Sequence, residues 1–400
     1  MDNLRTDNVL TFMLAGGYGS RLFPLTQIRS KPSVPFGANY RIVDFSLSNC
    51  INSHFRKIYV LTQYKSQSLT EHIMDGWSFL SSELGEFISI VPPQLRTGEK
   101  WYQGTADAIF QNINLLDVRK PDYVLIVSAD HLYRMDYRKM LMAHIENNAD
   151  ITIAALEVPK EEAKGFGVMA TDKNNRIIEF QEKPENPKTI PGRDDTSYAS
   201  MGIYIFSTKV LVKYLSKDAK TNSSHDFGKN IIPDMLKNNE RLFAYSFSND
   251  KVGKGYWRDV GTLDSYFKSS MDIIDKNFNL DDKSWPIYTY SKRGVPSIID
   301  CKDITETLIS HSCEIQAKRV NRVLISSGVK ISENAVVENS IIFDDVEIGK
   351  NVMIKNAIID KNVKIKEGIK IGYNIDDDKK RFVVTENGLV VIPKNMEVIE

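Results

Sequence analysis

Leu14-Ala15-Gly16-Gly17-Tyr18-Gly19-Ser20-Arg21-Leu22, then Pro24-Leu25-Thr26 and Lys31-Pro32, set three glycines and two cations directly behind the apolar run Val9 to Leu14. Glycine lets the backbone turn sharply and bring its N–H groups close to an anion, where a Cβ would stand in the way. Arg21 and Lys31 would neutralise the charge so cradled, and the segment reads as a phosphate grip. It is not a Walker loop, which needs Gly-Lys-Ser/Thr after four residues, nor a dinucleotide fingerprint, whose third glycine would fall at Leu22. An isolated Gly-Gly-x-Gly is better explained as an ordinary strand-to-loop turn; Arg21 and the Lys-Pro pair shift the balance toward the grip.

Further chemistry could come from two aspartates. Asp130 closes the apolar run Tyr123 to Val127, where a carboxylate must face a cation, a helix N-terminus or solvent, since burial alone is costly. A capping role is as good an account of it. Asp259, in Trp257-Arg258-Asp259-Val260, could be a salt-bridge partner or a cap. Glu182-Lys183-Pro184 follows the strand pattern Ile177 to Phe180 and by itself reads as a solvated strand end. Trp101 and Tyr102 could be core aromatics, the expectation for Trp101. Gly104-Thr105-Ala106-Asp107 opens a helical pattern with Thr105 as a possible cap. His131 and His225 lack the serine, cysteine or metal-spaced partner that nucleophilic or zinc chemistry requires.

The elements that must hold these residues fall into two textures. From Val9 to about Asn249, strand-like runs (Lys57–Thr62, Tyr123–Val127, Ile151–Ala155, Gly202–Phe206) alternate with helical patterns at 68–76, 105–117 and 137–147. That alternation predicts an α/β sheet with crossover helices, and in such sheets ligands sit off the carboxyl ends of strands. After about Trp285, apolar residues recur at Ile331, Val337, Ile342, Ile348, Ile354, Ile359, Ile365 and Ile371, a 17-residue period. A second inward register runs two residues earlier, from Val329 to Ile369, and is small or apolar throughout. The pair predicts a three-sided parallel β-helix of hexapeptide repeats. The expected division is 1–285 for the α/β domain, 286–307 for a linker and 308–400 for the β-helix. Lys plus Arg and Asp plus Glu number 52 each, so no global field draws the chain to nucleic acid or an anionic membrane. Cys50, Cys301 and Cys313 have no metal-type spacing and read as free thiols. The first apolar run is broken too early for a signal or membrane segment, and a cytoplasmic protein is expected.

Residue by residue, the glycine segment resembles the signature of sugar-1-phosphate nucleotidyltransferases. Lys31-Pro32-Ser33-Val34-Pro35-Phe36-Gly37, Tyr40 to Phe45, Leu47 to Ser53, Trp101 to Ala108 and Ser223-Ser224-His225-Asp226-Phe227-Gly228 resemble one branch of it, the glucose-1-phosphate adenylyltransferases. The resemblance implies a Rossmann-like nucleotidyltransferase domain followed by a left-handed β-helix, and transfer of an adenylyl group from ATP to glucose 1-phosphate for glucan synthesis. It implies Arg21, Lys31 and Asp130 as the catalytic set and Mg²⁺ on Asp130 and Asp259. The nucleotide would meet Leu14, Ala15, Gly16, Gly17, Gly19, Ser20, Gly104 and Thr105. Tyr102, Gly167, Glu182, Lys183 and Ser200 would meet the sugar phosphate. A homotetramer, or a heterotetramer with a regulatory paralogue, is the implied assembly. Tyr18 stands where arginine is frequent in the family and Ala38 where glycine is common. Three alternatives are a transferase using UTP, dTTP or GTP, a non-catalytic regulatory paralogue, and an acyltransferase in the β-helix. The paralogue would have lost the glycine loop or the aspartates, which are present. The acyltransferase would want a histidine on a coil, and none follows His311.

Overall fold

β1 (Val9–Ala15) is buried along almost its whole length, as a central strand covered on both faces must be. The computed structural model describes residues 6–94, 96, 101–247, 252, 255–290 and 293–399. Beside β1 lie β2 (Lys57–Thr62), β3 (Phe87–Val91) and β4 (Tyr123–Ser128), and the short β5 (His131–Tyr133) leaves the sheet beyond β4. β6 (Ile151–Pro159), β7 (Gly167–Thr171), β8 (Ile177–Glu182), β9 (Thr196–Ser207) and β10 (Leu242–Ser246) complete it. The main path is β8-β7-β9-β4-β1-β2-β3, with β6 joining β9 to β10. β1 runs parallel to β2 and β4, and β9 is antiparallel to β4, β6 and β7.

Alternation along β1 sorts the core into two layers. Val9 and Met13 pack with Val43 and Leu47 of α1 (Ile42–Asn52), Ile73 of α2 (Gln67–Gly76) and residues of a later helix, including Met140 and Leu141. Leu10 and Phe12 face the other way, onto Ile109 of α3 (Thr105–Phe110) and Leu116 of α4 (Asn114–Arg119). The pattern at 105–117 predicts one helix, but a turn at residues 111–113 splits it. Buried Asn112 donates to the Ala108 carbonyl at 2.8 Å and to the Tyr102 hydroxyl at 2.9 Å, and such side-chain bonds compete with helix continuation. The later helices are α5 (Tyr137–Glu146), α6 (Thr208–Asp218), α7 (Ile232–Lys237) and α8 (Leu263–Ile274). Ala38 takes φ 70° after Gly37 at φ 58°, a left-handed pair that accounts for glycine being common in the family where Ala38 stands.

Two-residue strands from Ile298–Ile299 to Glu397–Val398 stack in parallel as one side of the β-helix. On another side Val320 pairs with Val337 and Val337 with Ile354, which is the predicted 17-residue step. Both registers turn inward: Ile331, Val337, Ile342, Ile348 and Ile354 are buried, and so are Val329, Ala335, Val346, Val352 and Val363. The first coils step by 16 residues, Ile304 onto Val320 and Glu314 onto Lys330, and the 17-residue period that follows is interrupted where α9 (Ile375–Arg381) is inserted and Ala357 pairs onward with Val390. The stack begins at Ile298, inside the stretch expected as linker, because Ile298–Ile299 already pairs with Glu314–Ile315.

An apolar seam joins the two parts. Tyr266 of α8 meets Phe343 edge-on, in one cluster with Leu324, Ile341 and Ile358. A buried ion pair from Arg29 to Asp360 (2.9 and 3.1 Å) crosses the same seam. Among the described residues no helix is long and apolar enough to cross a membrane.

Candidate active site

The glycine loop leaves the carboxyl end of β1, and Gly19 sits at φ 67°, in the left-handed region that favours glycine. Its carbonyl accepts a hydrogen bond from Thr26 Oγ1 at 2.8 Å, closing the loop so that Lys31 comes back beneath it. β11 (Trp257–Asp259) pairs antiparallel with β5, Asp259 opposite His131 and Trp257 opposite Tyr133. This ribbon brings Asp259 beside Asp130. Lys31 Nζ then lies 2.8 Å from Asp130 Oδ2 and 3.0 Å from Asp259 Oδ1.

Burial opposes the charge on Lys31, but Asp130 and Asp259 outweigh it and raise the pKa above the ordinary lysine value. Burial likewise opposes ionisation of Asp130; Lys31, His131 and the Ser128 hydroxyl outweigh it and hold the carboxyl well below the usual range. The lysine side chain is 10% exposed and the aspartates 27% and 33%. The cation is enclosed while both carboxylates keep an open edge.

Two clefts meet here. The first is lined by Leu14, Ala15, Gly16, Gly17, Lys31, Tyr102, Gly104, Thr105 and Asp130. A Cβ on Gly104 would lie 2.3 Å from the carbonyl oxygens of Ser224 and His225, so only glycine lets α3 start so close to that turn. Thr105 Oγ1 donates to Asp226 at 3.0 Å. The second cleft is lined by Arg21, Gly167, Glu182, Lys183, Ser200 and Asp259, and shares Leu14, Thr105 and Ser128 with the first. Glu182 and Gly167 face each other across the β7–β8 ladder. Burial and then Asp226 push the Glu182 pKa up, Lys183 and Lys229 offsetting part of the shift.

The structure thus gathers most of the residues singled out in the sequence, with differences. Gly19 and Ser20 line neither cleft, and Arg21 lines the second, near Asp259 and Gly261, not the first. Tyr102 lines the first cleft, away from Lys183. Trp101 is no core aromatic: it is 50% exposed, its ring stacked on Tyr64 at 5.3 Å. Sequence reasoning left out Gln63 and Tyr64 in the first cleft and Tyr204, Asp226 and Trp257 in the second. Asp226 and Trp257 stood inside quoted motifs; Tyr204 had no signal beyond its place in an apolar strand.

Comparison with known proteins gives the family. Residues 10–276 match the nucleotidyl transferase family and residues 300–392 the GlmU-like C-terminal hexapeptide family. The chain is similar to the glucose-1-phosphate adenylyltransferase of Nitrosomonas europaea, 46% identical over 98% of this chain and 94% of the relative. It is also similar to glucose-1-phosphate adenylyltransferase 2 of Vibrio cholerae (48% identical, 98% of each chain) and to the Methylococcus capsulatus enzyme of the first name (47%, 97% of this chain and 93% of the relative). With the glycine loop, the paired aspartates and the hexapeptide stack all in one chain, this protein belongs to the glucose-1-phosphate adenylyltransferase family of nucleotidyl transferases.

Proposed function

We propose that the chain joins ATP and α-D-glucose 1-phosphate to give ADP-glucose and pyrophosphate. The observation that carries this is the Lys31 ammonium held between Asp130 and Asp259 where two clefts meet: one walled by the glycine loop, the other by Lys183 and Glu182. A phosphate oxygen of the sugar phosphate attacks the α-phosphorus of ATP. The new O–P bond forms as the bond from Pα to the bridging oxygen breaks, and pyrophosphate leaves with that electron pair. The nucleophile is already an anion, so no general base is needed, and the protein's work is positioning two polyanions and stabilising moving charge.

In this reading the first cleft seats the nucleotide, with the loop N–H groups and Lys31 toward its phosphates. Lys183 neutralises the sugar phosphate and Glu182 accepts from sugar hydroxyls. Arg21, beside Asp259, meets charge developing on pyrophosphate. Two carboxylates with open edges suit Mg²⁺, which keeps waters and takes substrate phosphate oxygens. Asp130 and Asp259 would hold it, and it would screen the charge of the triphosphate. Lys31 keeps the two carboxylates together by pairing with both.

A cytoplasmic, tetrameric enzyme of glycogen-type glucan synthesis, alone or with a regulatory paralogue, is the setting that the family suggests. The deciding experiment is pyrophosphate release with glucose 1-phosphate against each nucleoside triphosphate. ATP is expected to be preferred by at least about tenfold in kcat/KM, roughly 1.4 kcal/mol of differential transition-state binding. Equal rates with UTP would favour the reading as a different sugar-nucleotide synthase.

A further inference from the structure

Arg134 follows β5, and its side chain is only 5% exposed. Its Nε and Nη2 are nonetheless buried without a hydrogen-bond partner among the described residues. These two nitrogens share one edge of the guanidinium, the edge that receives an oxyanion with two parallel hydrogen bonds. The group lies over the Phe278 ring at 4.9 Å, and Nη1 comes no nearer than 3.9 Å to Asp282. Burial works against its charge and Asp282 offsets only part of that. A buried cation with its bidentate edge unspent is costly, which implies something for that edge to bind.

The surroundings say what. Arg134 lines a cleft with Arg258, Lys276, Asn277 and Asn279. Arg258 lies over Tyr256 at 4.6 Å, and its Nε is 3.4 Å from Asp272, a carboxylate that also accepts from the Tyr256 hydroxyl. Lys276, just beyond α8, is exposed and has no ion-pair partner among the described residues. Among the described residues three cations therefore line the cleft against Asp282, with Asp272 engaged behind Arg258. Arg134, Lys276, Asn277 and Asn279 line neither cleft of the active site; Arg258, between Trp257 and Asp259 on the ribbon that carries the catalytic aspartate, also lines a further cleft with Arg21 and Asp259.

We propose that this cleft binds a phosphate group, either free orthophosphate or the phosphate end of a small metabolite, with the Arg134 fork as its principal contact. A doubly charged, many-oxygen anion suits three cations better than a lone carboxylate does. The test is calorimetric titration of the full-length protein, in chloride buffer, with orthophosphate and with glycerol 3-phosphate. Lys183→Ala serves as the control for phosphate in the active site, and Arg134→Gln and Arg258→Gln address this cleft.

One saturable binding event is expected to persist in Lys183→Ala and to weaken by at least about tenfold in Arg134→Gln and Arg258→Gln, the scale of one lost charge-assisted hydrogen bond. Should Arg134→Gln fail to fold, Arg258→Gln and the surface variant Lys276→Gln carry the comparison. Tighter binding of glycerol 3-phosphate identifies a phosphoester occupant, and tighter binding of orthophosphate the free ion. Affinity unchanged in Arg134→Gln and Arg258→Gln, or lost in Lys183→Ala alone, overturns the site. Neither result would touch the adenylyl-transfer reading, which pyrophosphate release tests separately.

Discussion

In the β-helix, charged side chains stack in register on the outside, whereas in the α/β part they converge on one another inside clefts. Glu314 meets Lys330 and Glu347 meets Lys364, each pair at 3.4 Å and with every member more than half exposed. Pairs so open to water contribute little stability, and the coil is held by the stacked Ile and Val beneath them. Lys31, by contrast, is enclosed by two carboxylates, and Glu182 faces Asp226. Lys31 and its two carboxylates favour one another's charged forms, whereas Glu182 and Asp226 oppose each other's. Away from the seam, where Asp360 is buried against Arg29, the β-helix uses burial for architecture and exposure for charge; the α/β part gathers charges inside its clefts.

The largest effect should come from the converged charges. Asp130→Asn preserves shape but removes charge from the Lys31 pair, and at saturating Mg²⁺ and substrates turnover should fall by at least about 100-fold while the thermal midpoint changes little. Near-normal pyrophosphate release would remove Asp130 from the chemistry and weaken the contrast between the regions.

Next comes the aliphatic stack. Ile354 is fully buried between its neighbours Val337 and Ile371, so Ile354→Ala should cost about 2–5 kcal/mol in denaturant unfolding, the range for a large-to-small change in a core. Turnover per folded molecule should stay near that of the parent. A loss of turnover without a loss of stability would mean that the stack acts on the catalytic site directly.

Lys183→Ala should be milder than Asp130→Asn. In the proposed reading it meets the sugar phosphate in ground and transition states alike, so KM for glucose 1-phosphate should rise by about tenfold or more with kcat less affected. A fall in kcat alone would place Lys183 nearer the reacting phosphorus. Lys364→Ala, on the exposed ladder, should change stability by no more than about 0.5 kcal/mol; a cost of several kcal/mol would show that the ladder and not the Ile stack holds the coils.

The β-helix was legible almost to the residue because each coil repeats its neighbour, so a local period already states the three-dimensional contacts. Where the period fails, at α9, the repeat carries no warning, and the paired start at Ile298 lies outside the two apolar registers. In the α/β part the strand runs were readable from their apolar stretches. The split between α3 and α4 was not, because it depends on where the Asn112 amide finds its acceptors.

The chain by itself determined the glycine loop behind the first strand, the carboxylates at strand ends and the inward registers of the coils, since turn chemistry and periodicity act over a few residues. Only the tertiary structure decided that Lys31 sits between Asp130 and Asp259, that Tyr102 lines the first cleft and Arg21 the second, and that Arg134 is buried with its fork unspent. Those facts depend on strand order and on the β5–β11 ribbon, which brings distant segments together, and no spacing along the chain encodes them.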